Sequence, residues 1–387
     1  MDSEKKIDHV DVAVIGAGPG GLAAAAMIKK AGMRPVVFER AQAAGASWRN
    51  HYDRLHLHTI RRFSDLPDLP FPKDEGKWVS RNGVVRHLEK YVEHFGLDLR
   101  TGIDVQRIDP AEGGWQLETS KGPVHAWAVV VATGYNRIPI EPDWPGRDSF
   151  QGEFVLAADY RNPAPYRDKD VLVVGPGNSG GEIATDLAEG GADKVWLSYR
   201  TPPNIISRDR PLPPPVLGVV MEALRVPPKF GDWLSTFIQR HTIGDLSAYG
   251  LPPAPRSIAT QMARDEVIPI IDLGLVAMVK KGRVIPVPET RGMDGREVLL
   301  ADGRRLTPDA VISCVGYRPG LEPLVGHLGV IGPKKGHPVV YGGDTDPSAP
   351  RLHFVGMRAV ATGLFREFGI EAHAIAAALK KARQTGR

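Results

Sequence analysis

Two glycine-rich runs carry the residue types and spacing that point most clearly to chemistry. The first, Gly16-Ala17-Gly18-Pro19-Gly20-Gly21, follows the apolar run Val10-Asp11-Val12-Ala13-Val14-Ile15 and opens the apolar helical stretch Leu22 to Lys30. A buried strand, a glycine turn and a helix in that order bring unpaired N–H groups and the positive end of a helix dipole to one point, which is what a phosphate requires. Gly16 permits the tight turn, Gly18 lets the backbone approach a pyrophosphate, and Gly21 lets the helix pack on the strand. A second strand, Pro35 to Phe38, then ends on Glu39, eighteen residues past Gly21. A carboxylate at that place can accept hydrogen bonds from ribose hydroxyls. A glycine-rich turn without a ligand is the alternative.

The same order recurs from Asp170. The strand Asp170 to Val174 leads into Gly175-Pro176-Gly177-Asn178-Ser179-Gly180, then a helix from Gly181 to Glu189 and a strand from Lys194 to Tyr199. The two runs start 159 residues apart. One such motif is a weak signal, but two in one chain imply two nucleotide cofactors held by two domains. The second site ends on Ser198-Tyr199-Arg200-Thr201, with no acid where the first has Glu39. A guanidinium suits the 2′-phosphate of NADPH, although Arg200 could also be a solvated strand end. The first site, with its acid, suits FAD.

These elements predict an α/β chain of two Rossmann-like, three-layer dinucleotide-binding domains. An FAD domain (1–163 and 306–387) is interrupted by an NADPH domain (164–305), and the proline-rich crossing Pro139 to Pro165 serves as linker. Two further strands, Trp127 to Val131 and Ala310 to Val315, run into Ala132-Thr133-Gly134 and Gly316-Tyr317. Small residues there let backbone approach a cofactor, or mark plain strand exits. The section Ser207 to Pro255, with amphipathic stretches Val216 to Leu224 and Trp233 to Arg240, could wall a channel, touch a membrane surface or cover the sheet. Short strands at Val284 to Val287 and Val298 to Leu300 precede an Asp302-Gly303 turn. A strand Leu352 to Gly356 and a helix Glu367 to Ala382 close the chain, the helix N-terminus expected to face the isoalloxazine ring.

Composition narrows the alternatives. The 387 residues are 42% hydrophobic and 24% charged, ordinary for globular domains. Lys and Arg number 49 against 45 Asp and Glu, a net charge of +4, and the basic residues are scattered, which argues against nucleic acid as a partner. No apolar run is long enough to span a membrane and the stretch Met1 to Asp8 is charged, so a cytoplasmic protein is expected. The single cysteine, Cys314, excludes an internal disulfide or a Cys-x-x-Cys pair and reads as buried packing. No metal site is expected.

The residues also carry a family likeness: the chain resembles the class B flavin monooxygenases, most closely the YUCCA-type enzymes. The matching stretches are Gly16 to Gly21, Trp48 with Tyr52-Asp53-Arg54-Leu55-His56-Leu57-His58, Leu66-Pro67 through Phe71-Pro72, Gly175 to Glu182, Gly244-Asp245-Leu246-Ser247 with Tyr249-Gly250-Leu251, and Asp309 to Tyr317. On this resemblance Arg40, Trp48, Leu55 and Val105 join the cofactor-binding set. The resemblance implies hydride transfer from NADPH to FAD, capture of dioxygen as a flavin hydroperoxide, and insertion of one oxygen atom into a small organic substrate. In YUCCA-type enzymes that substrate is a 2-oxo acid, indole-3-pyruvate, which loses carbon dioxide. His58 occupies the place of an asparagine found near the flavin in related N- and S-oxygenating enzymes. It is the candidate for hydrogen bonding near the peroxide, or it packs beneath the flavin. One departure stands out: the family fingerprint Phe-x-Gly-x-x-x-His appears as Phe150-Gln151-Gly152-Glu153-Phe154-Val155-Leu156, with leucine for histidine. That keeps open an NADPH reductase or oxidase, passing electrons to another acceptor or to dioxygen, and a cofactor-binding regulatory protein with negligible turnover.

Overall fold

The computed structural model describes residues 7–209, 228–265, 267–333, 336–358, 360 and 362–386. They form two compact units. The first comprises Met1–Asn50, Thr59–Ile138 and Tyr317–Arg387, and the second His51–His58 and Pro139–Gly316.

In the first unit β1 (Asp8–Ile15) lies between β2 (Pro35–Glu39) and β6 (Val124–Val131), parallel to both. Val12, Ala13, Val14 and Ile15 are all buried, so the strand reads as a continuous apolar run, with Ala13 and Ile15 in one core cluster with Ile108, Trp115 and Leu117. β3 (Asp98–Thr101) extends the parallel sheet beyond β2. On the other side β6 is shared along its length: Val124 to Ala126 face the antiparallel β5 (Gly114–Thr119), while Val129 to Val131 face the parallel strand Leu352–Phe354. β4 (Val105–Ala111) completes the sheet, in the order β3-β2-β1-β6-β5-β4. α1 (Pro19–Lys30) is buried from Pro19 through Ile28, and its alanines, Ala23 to Ala26, let the closing helix Leu364–Gln384 approach. α2 (Arg81–Phe95) starts at Ser80, whose hydroxyl accepts the Gly83 amide, and stops at Gly96 in the left-handed region.

The second unit holds a parallel sheet of β7 (Glu153–Leu156), β8 (Asp170–Val174), β9 (Lys194–Ser198), β10 (Val284–Val287) and β11 (Ala310–Ser313), in the order β10-β9-β8-β11-β7. α3 (Asn178–Glu189) follows β8. The hairpin expected around Asp302-Gly303 is present, joining Glu297–Leu300 to Arg305–Leu306, with Thr290–Asp294 on the other side.

The boundaries between the two units lie at 50/51, 58/59, 138/139 and 316/317. The crossing read as a linker contains β7, which pairs with β11 through Glu153↔Ala310 to Leu156↔Ser313. Pro145 and Pro163 leave the residues between them free to form this edge strand. Trp233 to Arg240 lies inside a helix, Pro228–Thr242, whereas Val216 to Leu224 falls outside the described residues. The closing helix starts at Leu364, three residues before the expected Glu367.

Candidate active site

Both glycine cradles have the same division of space. In the first, Gly16 sits at φ 108°, with its amide on the Phe38 carbonyl at 2.8 Å. A Cβ on Gly16 would lie 2.7 Å from the Ala132 carbonyl oxygen, and one on Gly21 would lie 2.0 Å from that of Gly16. A Cβ on Gly18 would meet nothing within 4 Å. The outer glycines are therefore demanded by the turn and the helix packing, and the middle one borders open space. Pro19 takes the first helical position, Gly20 faces Phe368, and the first turn has neither an acid nor a side-chain cap. The leading N–H groups of α1 thus suit a pyrophosphate.

Glu39 is buried, and its carboxylate accepts the amides of Ala17 (2.8 Å) and Ala41 (2.9 Å). Arg40 beside it is exposed. At the end of β6, the Ala132 amide binds the Ile15 carbonyl, and Thr133 has a buried hydroxyl without a hydrogen-bond partner among the described residues. A buried donor with no partner costs stability, so an additional group held beside the cradle fits the residues present. A Cβ on Gly134 would again meet open space. Trp48 stands edge-on to Phe365 with centroids 6.0 Å apart. Val105 opens β4 with its side chain in the core cluster.

In the second cradle Gly175 has φ 105°, and a Cβ there would lie 2.4 Å from the Cys314 carbonyl oxygen. One on Gly180 would lie 1.9 Å from the Gly175 carbonyl oxygen, while one on Gly177 would meet nothing within 4 Å. Asn178 spends its side chain on the strand Ile270–Asp272 and the residue before it, accepting the Ile271 amide at 2.7 Å and donating to the Pro269 carbonyl. Ser198 is buried and accepts the Thr290 amide, so it braces the strand ends. Arg200 and Thr201 are exposed, and Arg200 makes no ion pair or hydrogen bond among the described residues. Gly316 closes this unit at φ 104° and Tyr317 belongs to the first. Burial pushes the Cys314 thiol up to about 12, which makes it a packing group and a poor nucleophile.

The segment His51–His58 groups with the second cradle. Tyr52, fully enclosed, donates its hydroxyl to Glu182 Oε2 at 2.9 Å, and His58 Nε2 lies 3.4 Å from the same oxygen. Arg54 reaches Asp186 (3.3 Å) and Glu189 (3.0 Å), with its Nε 4.0 Å from Glu182 Oε1. Tyr160 donates to the remaining Asp186 oxygen at 2.7 Å. Burial raises the Tyr52 hydroxyl well above the usual phenol range, and the Glu182 charge raises it further. Burial opposes the Arg54 charge, but the three carboxylates outweigh it and hold the guanidinium above its ordinary value. Burial likewise raises the Asp186 carboxyl. Leu55 is buried in the same segment. The sequence reading missed Glu182, Asp186 and Arg54 as a group. The available signal was acids at 182, 186 and 189, which recur along one helix face.

A strand, cradle and helix built twice, with an acid after the first and a guanidinium after the second, define an oxidoreductase that holds two nucleotides. The chain belongs to the pyridine nucleotide-disulphide oxidoreductase family, whose pattern matches residues 13–212, and within it to the flavin monooxygenases of YUCCA type. It is 32% identical over 331 residues to Indole-3-pyruvate monooxygenase YUCCA1 of Oryza sativa subsp. japonica, covering 84% of this chain and 80% of that one. A similar match, 32% over 319 residues, covers 79% of this chain and 72% of Probable indole-3-pyruvate monooxygenase YUCCA3 of Arabidopsis thaliana. The fold is that of a flavin monooxygenase from Stenotrophomonas maltophilia, solved as a doubly substituted mutant, with TM-score 0.74, 22% identity and 97% and 100% of the two chains covered. The chain is an FAD- and NADPH-dependent monooxygenase. No helix among the described residues is long and apolar enough to cross a membrane.

Proposed function

We propose that the protein transfers one oxygen atom from dioxygen to a 2-oxo acid, which leaves as carbon dioxide and a carboxylic acid one carbon shorter. NADPH supplies the two electrons that reduce the second oxygen atom to water. The likeness to relatives named for indole-3-pyruvate, over more than three quarters of this chain, carries this reading. FAD supplies the oxygen chemistry when bound. Gly16, Gly18, Pro19, Gly20, Gly21 and Glu39 would hold it, with Ala132, Thr133 and Gly134 beside them. Gly175, Gly177, Ser179 and Gly180 would hold the NADPH pyrophosphate, and Arg200 with Thr201 the 2′-phosphate. His58 would handle a proton or hydrogen bond at the reacting oxygen. The dependence on NADPH and the single free thiol suit a reducing compartment, so we place the protein in the cytoplasm.

The test is to supply purified holoprotein with NADPH, oxygen and indole-3-pyruvate or phenylpyruvate, and to measure carbon dioxide and the shortened acid. One product per NADPH is expected. Oxygenation of a ketone, amine or thioether with none of a 2-oxo acid would overturn the substrate class. NADPH consumption that yields hydrogen peroxide with every substrate would overturn oxygen transfer.

A further inference from the structure

We propose that Glu182 is a positioning residue of the oxygen-transfer reaction, holding Tyr52 and Nε2 of His58 through one buried oxygen so that Nδ1 is the ring nitrogen left for chemistry. The inference rests on the oxygenation reading above and names a residue that acts through His58.

Three observations carry it. Glu182 is only 4% exposed, and a carboxylate that deep is retained only where partners satisfy both oxygens. Its Oε2 takes the Tyr52 hydroxyl at 2.9 Å and faces His58 Nε2 at 3.4 Å, while Oε1 faces Arg54 Nε at 4.0 Å. Finally, Glu182 stands on α3 one turn past Asn178, where the helix opens from the second cradle. A carboxylate facing Nε2 selects the tautomer with the proton on that nitrogen, leaving Nδ1 as the acceptor. No hydrogen bond engages Nδ1 among the described residues. The surrounding charges are Arg54 from the same segment and Asp186 and Glu189 from the same helix, so neutralising Glu182 leaves Arg54 its other two partners.

The experiment compares wild type with Glu182→Gln, which keeps shape and volume, and with His58→Ala and the double variant, all as FAD-loaded protein. The readouts are flavin content, the rate of anaerobic flavin reduction by NADPH, and the product formed per NADPH. Glu182→Gln should lower product formation about tenfold or more, the scale on which loss of a ring-orienting partner acts. Flavin content and anaerobic reduction should stay near wild type. Adding the variant to His58→Ala should cost little more. A Glu182→Gln protein with wild-type product yield overturns the proposal while leaving the oxygenation reading standing. Equal losses in flavin reduction and product formation overturn it too, since Glu182 would then merely support the helix. Wild-type protein that turns NADPH only into hydrogen peroxide overturns both together.

Discussion

Glu39 Oε2 accepts the backbone amide of Ala17, a residue inside the first cradle, at 2.8 Å. The acid at the end of β2 therefore braces the glycine turn, a role added to the ribose contact expected of it. Each of its oxygens keeps a further lone pair for a ligand, since the second takes only the Ala41 amide. Glu39→Gln would set an NH2 group against one of these two amides. A charge-assisted bond of this kind contributes about 1.5–3 kcal/mol, so FAD affinity should fall roughly ten- to hundredfold. Flavin retained through dialysis reads the effect directly, and unchanged retention would remove this account of Glu39.

The glycines of each cradle should separate binding from folding. Gly18 has φ −78° and ψ 177°, a conformation open to any residue, and a Cβ there has space around it. Gly18→Ala should fold with its apoprotein melting temperature nearly intact yet lose FAD. Gly21→Ala, which would press a Cβ to 2.0 Å from the Gly16 oxygen, should cost about 3 kcal/mol or more of stability. Gly177→Ala and Gly180→Ala should divide the same way, with the KM for NADPH in place of FAD content. Equal thermal losses for Gly18 and Gly21 would refute the division.

Arg200 stands exposed past β9 with no anion of the protein to hold among the described residues. If it holds the 2′-phosphate, Arg200→Ala should raise the KM for NADPH about tenfold or more and leave that for NADH within a factor of about two, a charged hydrogen bond being lost only from the first. Steady-state kinetics with both nucleotides decide this. Parallel changes would assign Arg200 to the solvated surface.

Leu156 and Ser313 are partners in register at the ends of β7 and β11, and the Ser313 hydroxyl is buried without a hydrogen-bond partner among the described residues. Leucine at the fingerprint's histidine position thus places an apolar side chain on the strand beside that hydroxyl. Removing an unpaired buried hydroxyl is neutral or favourable, by up to about 1 kcal/mol. Ser313→Ala should therefore melt at or above the wild-type temperature, and a marked drop would mean that the hydroxyl is engaged.

The legible parts of the chain were those in which function is written locally. Each cradle needs three glycines within six residues, each flanked by its own strand and helix, so both glycine turns and the α/β class followed from short windows. β4 was hidden because its register shifts between Val105 and Arg107, which breaks the alternation of buried and exposed residues. β7 was hidden among prolines that flank it without entering it. The Glu182 cluster was hidden for another reason: Tyr52 and Glu182 are 130 residues apart, and only the folded second unit brings them into contact. A lone Glu in a helix has no such meaning in sequence.

His87 makes a stability prediction with a definite sign. It is buried on α2 and stacked on Phe71, with ring centroids 3.9 Å apart. Burial foremost, then the Lys90 charge, pushes its imidazole from 6.5 down to about 4, against the pull of the Leu69 carbonyl. Between those pH values the unfolded chain binds a proton that the folded chain does not. Stability is therefore full above about pH 6.5 and falls as the pH drops toward 4, by at most roughly 3 kcal/mol. His87→Phe keeps the stack and removes the proton. Denaturant unfolding at about pH 7 and about pH 5 should show the wild type losing more stability than the variant over that interval. Identical losses would mean that the folded protein admits the His87 proton as readily as the unfolded chain does.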